Sequence, residues 1–378
     1  MDRLFKRAFG DEEPTRWGSG WVSGVLAVLC GFLALGGVLC FHFPELLTSP
    51  GLRSRYPVPL LRLLLQALLV LGLVFSLLSA YLRRRKVLAL TGASLSLLAA
   101  GLGGGAVPLP QTVETEVGLG FDWFLINLFV LTVVFVPLER ALPRDPDQLV
   151  FRPGWTTDGV HFLFSHLAVQ LFTYLALTPV SALRDRLLPA ELVEVGARLP
   201  VAVQVLAVLL LADLTQYWVH RAFHRVPLLW RFHAIHHSSA TLDWLAGSRL
   251  HLLDALVTRT LALAPALFFG FSESALGYYL AFVSVHAVFI HSNFGARLQW
   301  LEPFVVTPRI HHFHHADEAE ALDKNFAVHL PFLDRVFGTF FLPKERWPQK
   351  YGLGKGRTVP ESWAGQIVAP FRSSPRRS

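Results

Sequence analysis

The chain has 378 residues, of which 53% are hydrophobic and only 16% are charged. Soluble domains carry roughly 25% charged residues, and the apolar residues here form long blocks of the kind that a bilayer span requires. The formal charge of +7 lies mainly at the ends of these blocks, for example in Arg83–Lys86. That placement favours lipid headgroups over nucleic acid as partners. The composition excludes a soluble domain and predicts a polytopic membrane protein.

Eight apolar segments follow one another along the chain, each long enough to cross or enter a membrane. They lie at about 21–41, 63–82, 87–107, 121–137, 160–182, 200–217, 255–271 and 276–291. The last two are short and joined by a brief linker, which predicts a hairpin that returns to the same side. The sequence therefore predicts an all-α, polytopic membrane helical bundle.

Side chains that could take part in catalysis or metal binding are spread unevenly over these segments. The first three segments contain almost none; their two cysteines, Cys30 and Cys40, indicate neither a disulfide framework nor a cysteine metal site. We predict N-terminal transmembrane helices of unassigned role at 1–118, a catalytic domain at 119–345 and a polar, basic C-terminal tail at 346–378.

The charges between segments predict the orientation. Basic residues precede the first segment (Arg3, Lys6, Arg7 and Arg16) and separate the second from the third (Arg83–Lys86). Positive charges prefer the cytosolic side, and the acidic loop with Glu114 and Glu116 then lies outside. Counting segments onward places 219–254 and the region after 291 in the cytosol, so the histidine clusters described next share the cytosolic face.

Three histidine clusters dominate the second half of the chain. They are His220-Arg-Ala-Phe-His224, His233-Ala-Ile-His236-His237 and His311-His312-Phe-His314-His315. Residues three or four apart share one face of a helix, and neutral imidazole suits iron, zinc and copper. Two ions with four or five ligands each need about eight to ten donors. With His291 added and His312 taken as a spacer, the candidate ligands are His220, His224, His233, His236, His237, His291, His311, His314 and His315.

Other polar residues near the clusters are candidates for supporting roles. Asp213 lies on the face of His220, two turns deeper in an apolar segment, where a carboxylate is costly and usually paired. We expect it to accept the second ring N–H of a ligand histidine or to bind the metal itself. His251 is a candidate ligand or outer partner, and His286 ranks lower because it is five residues from His291. We interpret His42, His161, His166 and His329 as structural.

Five stretches of this chain together resemble the fatty acid hydroxylase / sterol desaturase superfamily. The first two are Asp213-Leu-Thr-Gln-Tyr-Trp-Val-His220-Arg-Ala-Phe-His224 and Leu229-Trp-Arg-Phe-His233-Ala-Ile-His236-His237-Ser238. The others are Pro308-Arg-Ile-His311-His-Phe-His314-His315, Asp323-Lys-Asn-Phe326 and Leu333-Asp-Arg-Val-Phe-Gly-Thr339. The likeness covers about 121–343. Leu252 stands where many relatives have proline, and Phe326-Ala327 where Tyr-Gly is usual, which leaves the choice of substrate open.

The resemblance implies a centre of two iron ions, ligated by the nine histidines, that uses O2 as co-substrate. The implied reaction is hydroxylation or desaturation of a C–H bond in a lipid, such as a sterol, isoprenoid, fatty acyl chain or ether lipid. Among the implied site residues we assign the catalytic role to Asp213, His220, His236 and His314. The reaction needs two electrons, and the sequence has no haem, flavin, nicotinamide or iron–sulfur motif. A separate ferredoxin or cytochrome-type donor is therefore expected.

Three other functions compete with an oxygenase. A metal-transporting membrane protein would place its ligands near the bilayer midplane, whereas these lie at segment ends. A zinc hydrolase would need a glutamate such as that of H-E-x-x-H, and none of the three clusters contains one. A catalytically inactive lipid-binding or scaffold relative is disfavoured by the intact set of histidines.

Overall fold

A computed structural model describes residues 18–53, 55–109, 118–354 and 358–372. These residues form helices and loops without a β-strand; two isolated bridges join Pro143 to Phe294 and Ala316 to Tyr351. The helices are α1 Trp21–His42, α2 Pro44–Leu47, α3 Pro50–Arg53, α4 Val58–Leu82, α5 Val87–Gly101, α6 Phe121–Ala141, α7 Trp155–Leu187, α8 Ala190–Arg198, α9 Val201–Arg225, α10 Pro227–His233, α11 Leu252–Phe268, α12 Glu273–His291, α13 Pro308–His314, α14 Phe332–Val336 and α15 Trp363–Arg372. The prediction of an all-α membrane bundle is confirmed.

Six of the described helices are long and apolar enough to cross a membrane. They are α1, α4, α5 with the turn that follows it, α6, α9 and α12. The protein is therefore a multi-pass integral membrane protein. The predicted segments at 160–182 and 255–271 form α7 and α11, which are not among the six, and their crossing stays a prediction. The orientation also stays a prediction, and the charged residues Arg3, Lys6, Arg7, Arg16, Glu114 and Glu116 lie outside the described residues.

The chain divides into two compact units, and the boundary falls in the sequence of α6, between Phe129 and Val130. In the N-terminal unit, α1, α4 and α5 pack on one another. Small residues at the contacts let the backbones approach closely, as is common between membrane helices. The unit also holds the buried carboxylate of Asp122, which accepts hydrogen bonds from the Ser49 N–H and hydroxyl and from the Tyr56 hydroxyl.

The contact between α1 and α5 at Gly92 is too close for any side chain. A Cβ atom there would lie 2.6 Å from the Ala27 Cβ and 2.7 Å from the Ala27 carbonyl carbon. We expect Gly92→Ala to lower the free energy of unfolding by about 1–3 kcal/mol, because the helices must separate. Gly101→Ala is the matched control, since a Cβ at Gly101 would meet open space. Thermal unfolding in detergent measures both; equal stability of the two variants would contradict this account.

The C-terminal unit is built around α9, which packs against α11 and α12, while α11 also packs against α7. The short helices and loops that follow α12 contribute to a buried cluster around Tyr217, Ile290 and Phe326. This arrangement brings the C-terminal end of α9, the end of α12 and the short helix α13 into one region. All three predicted histidine clusters lie in that region.

The segment predicted to be a C-terminal tail is packed against the C-terminal unit where it is described. Gln366 of α15 is 1% exposed, and its side-chain oxygen lies 2.8 Å from Nε2 of His161. His251 Nε2 donates to the Ile367 carbonyl at 3.0 Å, so two histidines outside the clusters hold α15. The proposed domain boundaries after 118 and 345 stay predictions.

Candidate metal centre

All nine candidate ligands lie in two neighbouring groups of buried imidazoles. The five-histidine group contains His220, His224, His233, His237 and His314, and the four-histidine group contains His236, His291, His311 and His315. Within each group the atoms that can bind a metal lie within 4.8 Å of one another. Each group could therefore hold a metal ion.

Most of these imidazoles donate their Nδ1 proton to an acceptor outside the groups. Carbonyl and carboxylate oxygens only accept, so each such contact fixes the Nδ1–H tautomer. The acceptor is a backbone carbonyl in four cases and the Asp254 carboxylate in the fifth. The pairs are His220 with Phe326 O at 2.8 Å, His236 with Arg249 O at 3.0 Å, His291 with Ala287 O at 2.7 Å, His314 with Lys324 O at 2.9 Å and His233 with Asp254 Oδ2 at 2.7 Å.

The fixed tautomers leave Nε2 lone pairs pointing at one another. His220 Nε2 lies 3.1 Å from His233 Nε2, and His291 Nε2 lies 3.3 Å from His236 Nε2. In neutral imidazoles with Nδ1–H, neither Nε2 atom of either pair carries a proton, so the lone pairs repel unless a cation binds both. Metal–nitrogen bonds of about 2.0–2.1 Å put neighbouring ligand atoms roughly 3.0–3.4 Å apart. The donor set and its spacing thus fit a metal ion in each group.

Burial keeps the imidazoles neutral and available as ligands. Burial, and after it the neighbouring imidazoles, lower the pKa well below its ordinary value at His236, His237, His311 and His315. Burial also lowers the pKa of His314 to about 3. The Nε2 atoms of His237 and His314 are buried and have no hydrogen-bond partner among the described residues, as expected of atoms that serve as ligands.

Asp213 does not occupy either of the positions that we expected. Its carboxylate contacts no imidazole of the two groups and instead accepts the backbone N–H groups of residues 328–330. The carboxylate that does accept a ligand N–H is Asp254, in the first turn of α11. A second carboxylate, Asp323, lies 3.6 Å from His224 Nδ1. Neither carboxylate was assigned a role from the sequence, because only the fold brings each one beside the histidine that it contacts.

The remaining histidines that were considered lie outside both groups. His312 contacts the Tyr351 hydroxyl and donates to the Ser292 carbonyl, as expected of a spacer. His251 caps α11 by accepting the Leu253 N–H. His286 and His329 contact each other through their Nδ1 atoms at 3.1 Å.

A buried ionic network supports the four-histidine group. Arg152, 2% exposed, donates to both oxygens of Asp243 and to Asp158. The other oxygen of Asp158 accepts from Arg249, whose carbonyl holds His236. The loop between the second histidine cluster and α11 is thereby fixed by two arginines and two carboxylates.

Removing Arg152 leaves two carboxylates buried without that cation. We expect Arg152→Met to lower the free energy of unfolding by about 3–5 kcal/mol, the usual result of breaking a buried ion pair from one side. Arg198→Met is the control, because Arg198 pairs with Glu194 at the surface and such pairs contribute at most about 1 kcal/mol. Unfolding in detergent, followed by tryptophan fluorescence, compares the two; similar losses would show that the network contributes little.

These features define the class of the protein: a multi-pass membrane protein with a buried, histidine-rich site that could hold two metal ions. Residues 205–339 match the model of the fatty acid hydroxylase family. This match, together with the similar proteins named below, confirms the resemblance to the fatty acid hydroxylase / sterol desaturase superfamily that the motifs indicated. The matched region contains all nine histidines.

Several characterised proteins are similar to the chain. An ornithine lipid hydroxylase of Rhizobium tropici is 29% identical over 68% of this chain and 77% of its own length. An alkylglycerol monooxygenase of Homo sapiens is 32% identical over 37% of this chain and 31% of its own length. A very-long-chain aldehyde decarbonylase of Oryza sativa is 26% identical over 32% of this chain and 21% of its own length. No solved structure matches the chain.

Proposed function

We propose that this protein is a membrane-bound di-iron oxygenase that uses O2 and two external electrons to hydroxylate a C–H bond of a membrane lipid. The observation that carries the proposal is the pair of histidine groups whose Nε2 atoms lie 3.0–3.3 Å apart. Nine imidazoles exceed what a hydrolytic zinc site uses, which is three protein ligands and a water. They suit two redox metal ions.

When bound, the iron ions would supply the activation of O2 and the oxidation of the C–H bond. The chain's own residues would hold the ions, orient the ligands and exclude water. The nine histidines would be the ligands, and five of them are held in the Nδ1–H tautomer by carbonyl groups and Asp254. Apolar neighbours such as Phe326, which contacts the rings of His220 and His224, exclude water from the site. Exclusion of water strengthens every electrostatic interaction there and prevents side reactions.

The names of the similar proteins support a proposal for the substrate class. The first two named above are a hydroxylase and a monooxygenase, and their names specify an ornithine lipid and alkylglycerols. We therefore propose hydroxylation rather than desaturation, on a membrane lipid that carries a polar headgroup. Such a lipid would approach laterally from the bilayer, with its reacting carbon beneath the histidine groups.

A separate electron donor, of ferredoxin or cytochrome type, would dock close to the histidine groups on the cytosolic face. Exposed arginines near the clusters would attract an acidic donor. Arg225 lies 3.6 Å from Asp323. Because its side chain is largely exposed, its charge can still act on an approaching protein. Arg309 makes a two-point contact with Glu302, which compensates its charge.

The direct test combines metal analysis with product detection. The purified protein from iron-supplied cells is expected to contain about two iron ions per chain. The variant His236→Ala/His314→Ala, which removes one histidine from each group, should lose most of both. With a ferredoxin and its reductase, wild-type protein should transfer one atom of isotopically labelled O2 into a polar lipid extract, detected by mass spectrometry.

Two outcomes would contradict the proposal. One is a folded wild-type protein that binds no metal after anaerobic iron reconstitution. The other is a di-iron protein that consumes electrons without placing labelled oxygen in any lipid, which would favour a scaffold role. His312→Gln serves as the control variant, because His312 belongs to neither group.

A further inference from the structure

Five consecutive backbone N–H groups, those of residues 326–330, are all accepted by two buried carboxylates. Asp334 accepts the first two and Asp213 the last three, and both side chains are 0% exposed. The nitrogen–oxygen distances are 2.8 Å at Phe326, 3.0 Å at Ala327, 2.9 Å at Val328, 3.1 Å at His329 and 2.6 Å at Leu330. We call this segment with its two acids the amide clamp.

In this buried loop the two carboxylates accept the N–H groups that a helix or a strand would otherwise pair with backbone carbonyls. Buried N–H groups need an acceptor, and carboxylate oxygens accept more strongly than neutral groups. Asp213 lies on α9 and Asp334 on α14, so the loop is fastened to two helices at once. Asn325, whose φ of 56° is in the left-handed region, adds side-chain hydrogen bonds to the Ile310 and Phe341 carbonyls.

The carbonyl groups at the start of the same loop hold two histidines. Phe326 O accepts from His220 Nδ1, and Lys324 O accepts from His314 Nδ1. Both imidazoles belong to the five-histidine group. The carbonyls that hold His236 and His291 of the four-histidine group lie elsewhere, at Arg249 and Ala287.

A chain of hydrogen bonds supports Asp334 from the other side. The Thr339 hydroxyl donates to Asp334 at 2.7 Å, so it accepts from the Tyr217 hydroxyl at 2.8 Å. Arg221 in turn donates to the Tyr217 oxygen. The successive donors point toward the carboxylate and stabilise its ionised form.

We propose that Asp213 and Asp334 are positioning residues for the five-histidine group. Acting through the backbone of 324–330, they fix the tautomer and ring orientation of His220 and His314. Neither acid touches an imidazole of the group. This inference rests on the proposed metal site, and it predicts that the two groups respond differently when the clamp is weakened.

The experiment is a cobalt(II) titration of the metal-free full-length protein in detergent, followed by visible absorption and by competition with a chelator. In Asp213→Asn or Asp334→Asn, one acceptor oxygen becomes an N–H donor that faces backbone N–H groups. We expect each variant to bind one of two cobalt ions about 10–100-fold more weakly, with an altered absorption band for that ion alone. Asp122→Asn is the matched control, since its buried carboxylate serves only the N-terminal unit, and it should bind both ions normally.

Each result decides between alternatives. Wild-type affinity and spectrum for both ions in the two clamp variants would overturn the inference, and so would equal weakening of both ions, which indicates general support of the fold. Failure of the wild-type protein to bind cobalt would remove the proposed function together with the inference. If Asp213→Asn does not accumulate, Thr339→Val tests the same point. It removes one hydrogen bond to Asp334 and should weaken the same ion by a smaller factor; no change would overturn the inference.

Discussion

Replacing His314 or His311 with alanine is expected to remove one of two metal ions, a different one in each case, and to abolish lipid oxidation in both. The two residues lie three apart in α13 but belong to different groups. Loss of an outer partner of a metal ligand typically lowers affinity or activity about 10–100-fold, so loss of a ligand should exceed about 100-fold. Metal content by elemental analysis and turnover with the reductase system measure the two effects.

The same helix supplies the control. His312 lies between these residues and is equally buried, but its nitrogens contact the Tyr351 hydroxyl and the Ser292 carbonyl. His312→Gln should keep both ions and lose stability instead. Retention of two ions in His314→Ala, or their loss in His312→Gln, would show that the two groups are assigned incorrectly.

The second large effect is expected at Asp254. Its carboxylate accepts the Nδ1 proton of His233 at 2.7 Å and the Thr258 hydroxyl at 3.0 Å. A carboxylate in this position raises the basicity of the imidazole and fixes its orientation. We expect Asp254→Asn, which keeps an acceptor but removes the charge, to weaken metal binding about 10-fold, and Asp254→Leu about 100-fold.

Thr258→Val separates these effects from simple disruption of α11. It removes the other partner of the same carboxylate without touching His233, and it should leave the metal affinity of the five-histidine group unchanged. A metal titration of the three variants gives the order Thr258→Val, Asp254→Asn, Asp254→Leu from tightest to weakest. A different order would mean that Asp254 contributes to folding alone.

The clusters also show what helical spacing can and cannot predict about which histidines share a group. Pairs four residues apart stay together: His220 with His224, His233 with His237, and His311 with His315. The middle histidine of each H-x-x-H-H pattern, His236 or His314, belongs to the other group. Successive residues of a helix are rotated by about 100°, so adjacent histidines point to different places. Residues three apart were also expected to share a face, yet His236 and His314 separate from the histidines three positions before them. The spacing does not say which other cluster they meet.

The contact expected between Asp213 and a ligand histidine is absent for a similar reason. Its position on the face of His220 was predicted correctly from helical periodicity, but a shared face does not imply contact across two turns. The backbone of residues 328–330, more than a hundred positions later in the chain, occupies the space beside the carboxylate. Asp254 could not be preferred over Asp213 before the distance between α11 and the second cluster was known.

By itself, the sequence determined that this is an all-α membrane protein, where its long apolar helices lie and which residues carry the histidine motifs, because hydropathy and helical spacing are local properties of the chain. Only the tertiary structure decided how nine histidines divide into groups of five and four. It also decided which carbonyls and carboxylates fix their tautomers. Except for Ala287, which lies one turn before His291, those partners are 10 or more residues from the histidines that they hold. Only the packing of α9, α11, α12 and α13 with the loops between them brings these partners within hydrogen-bonding distance.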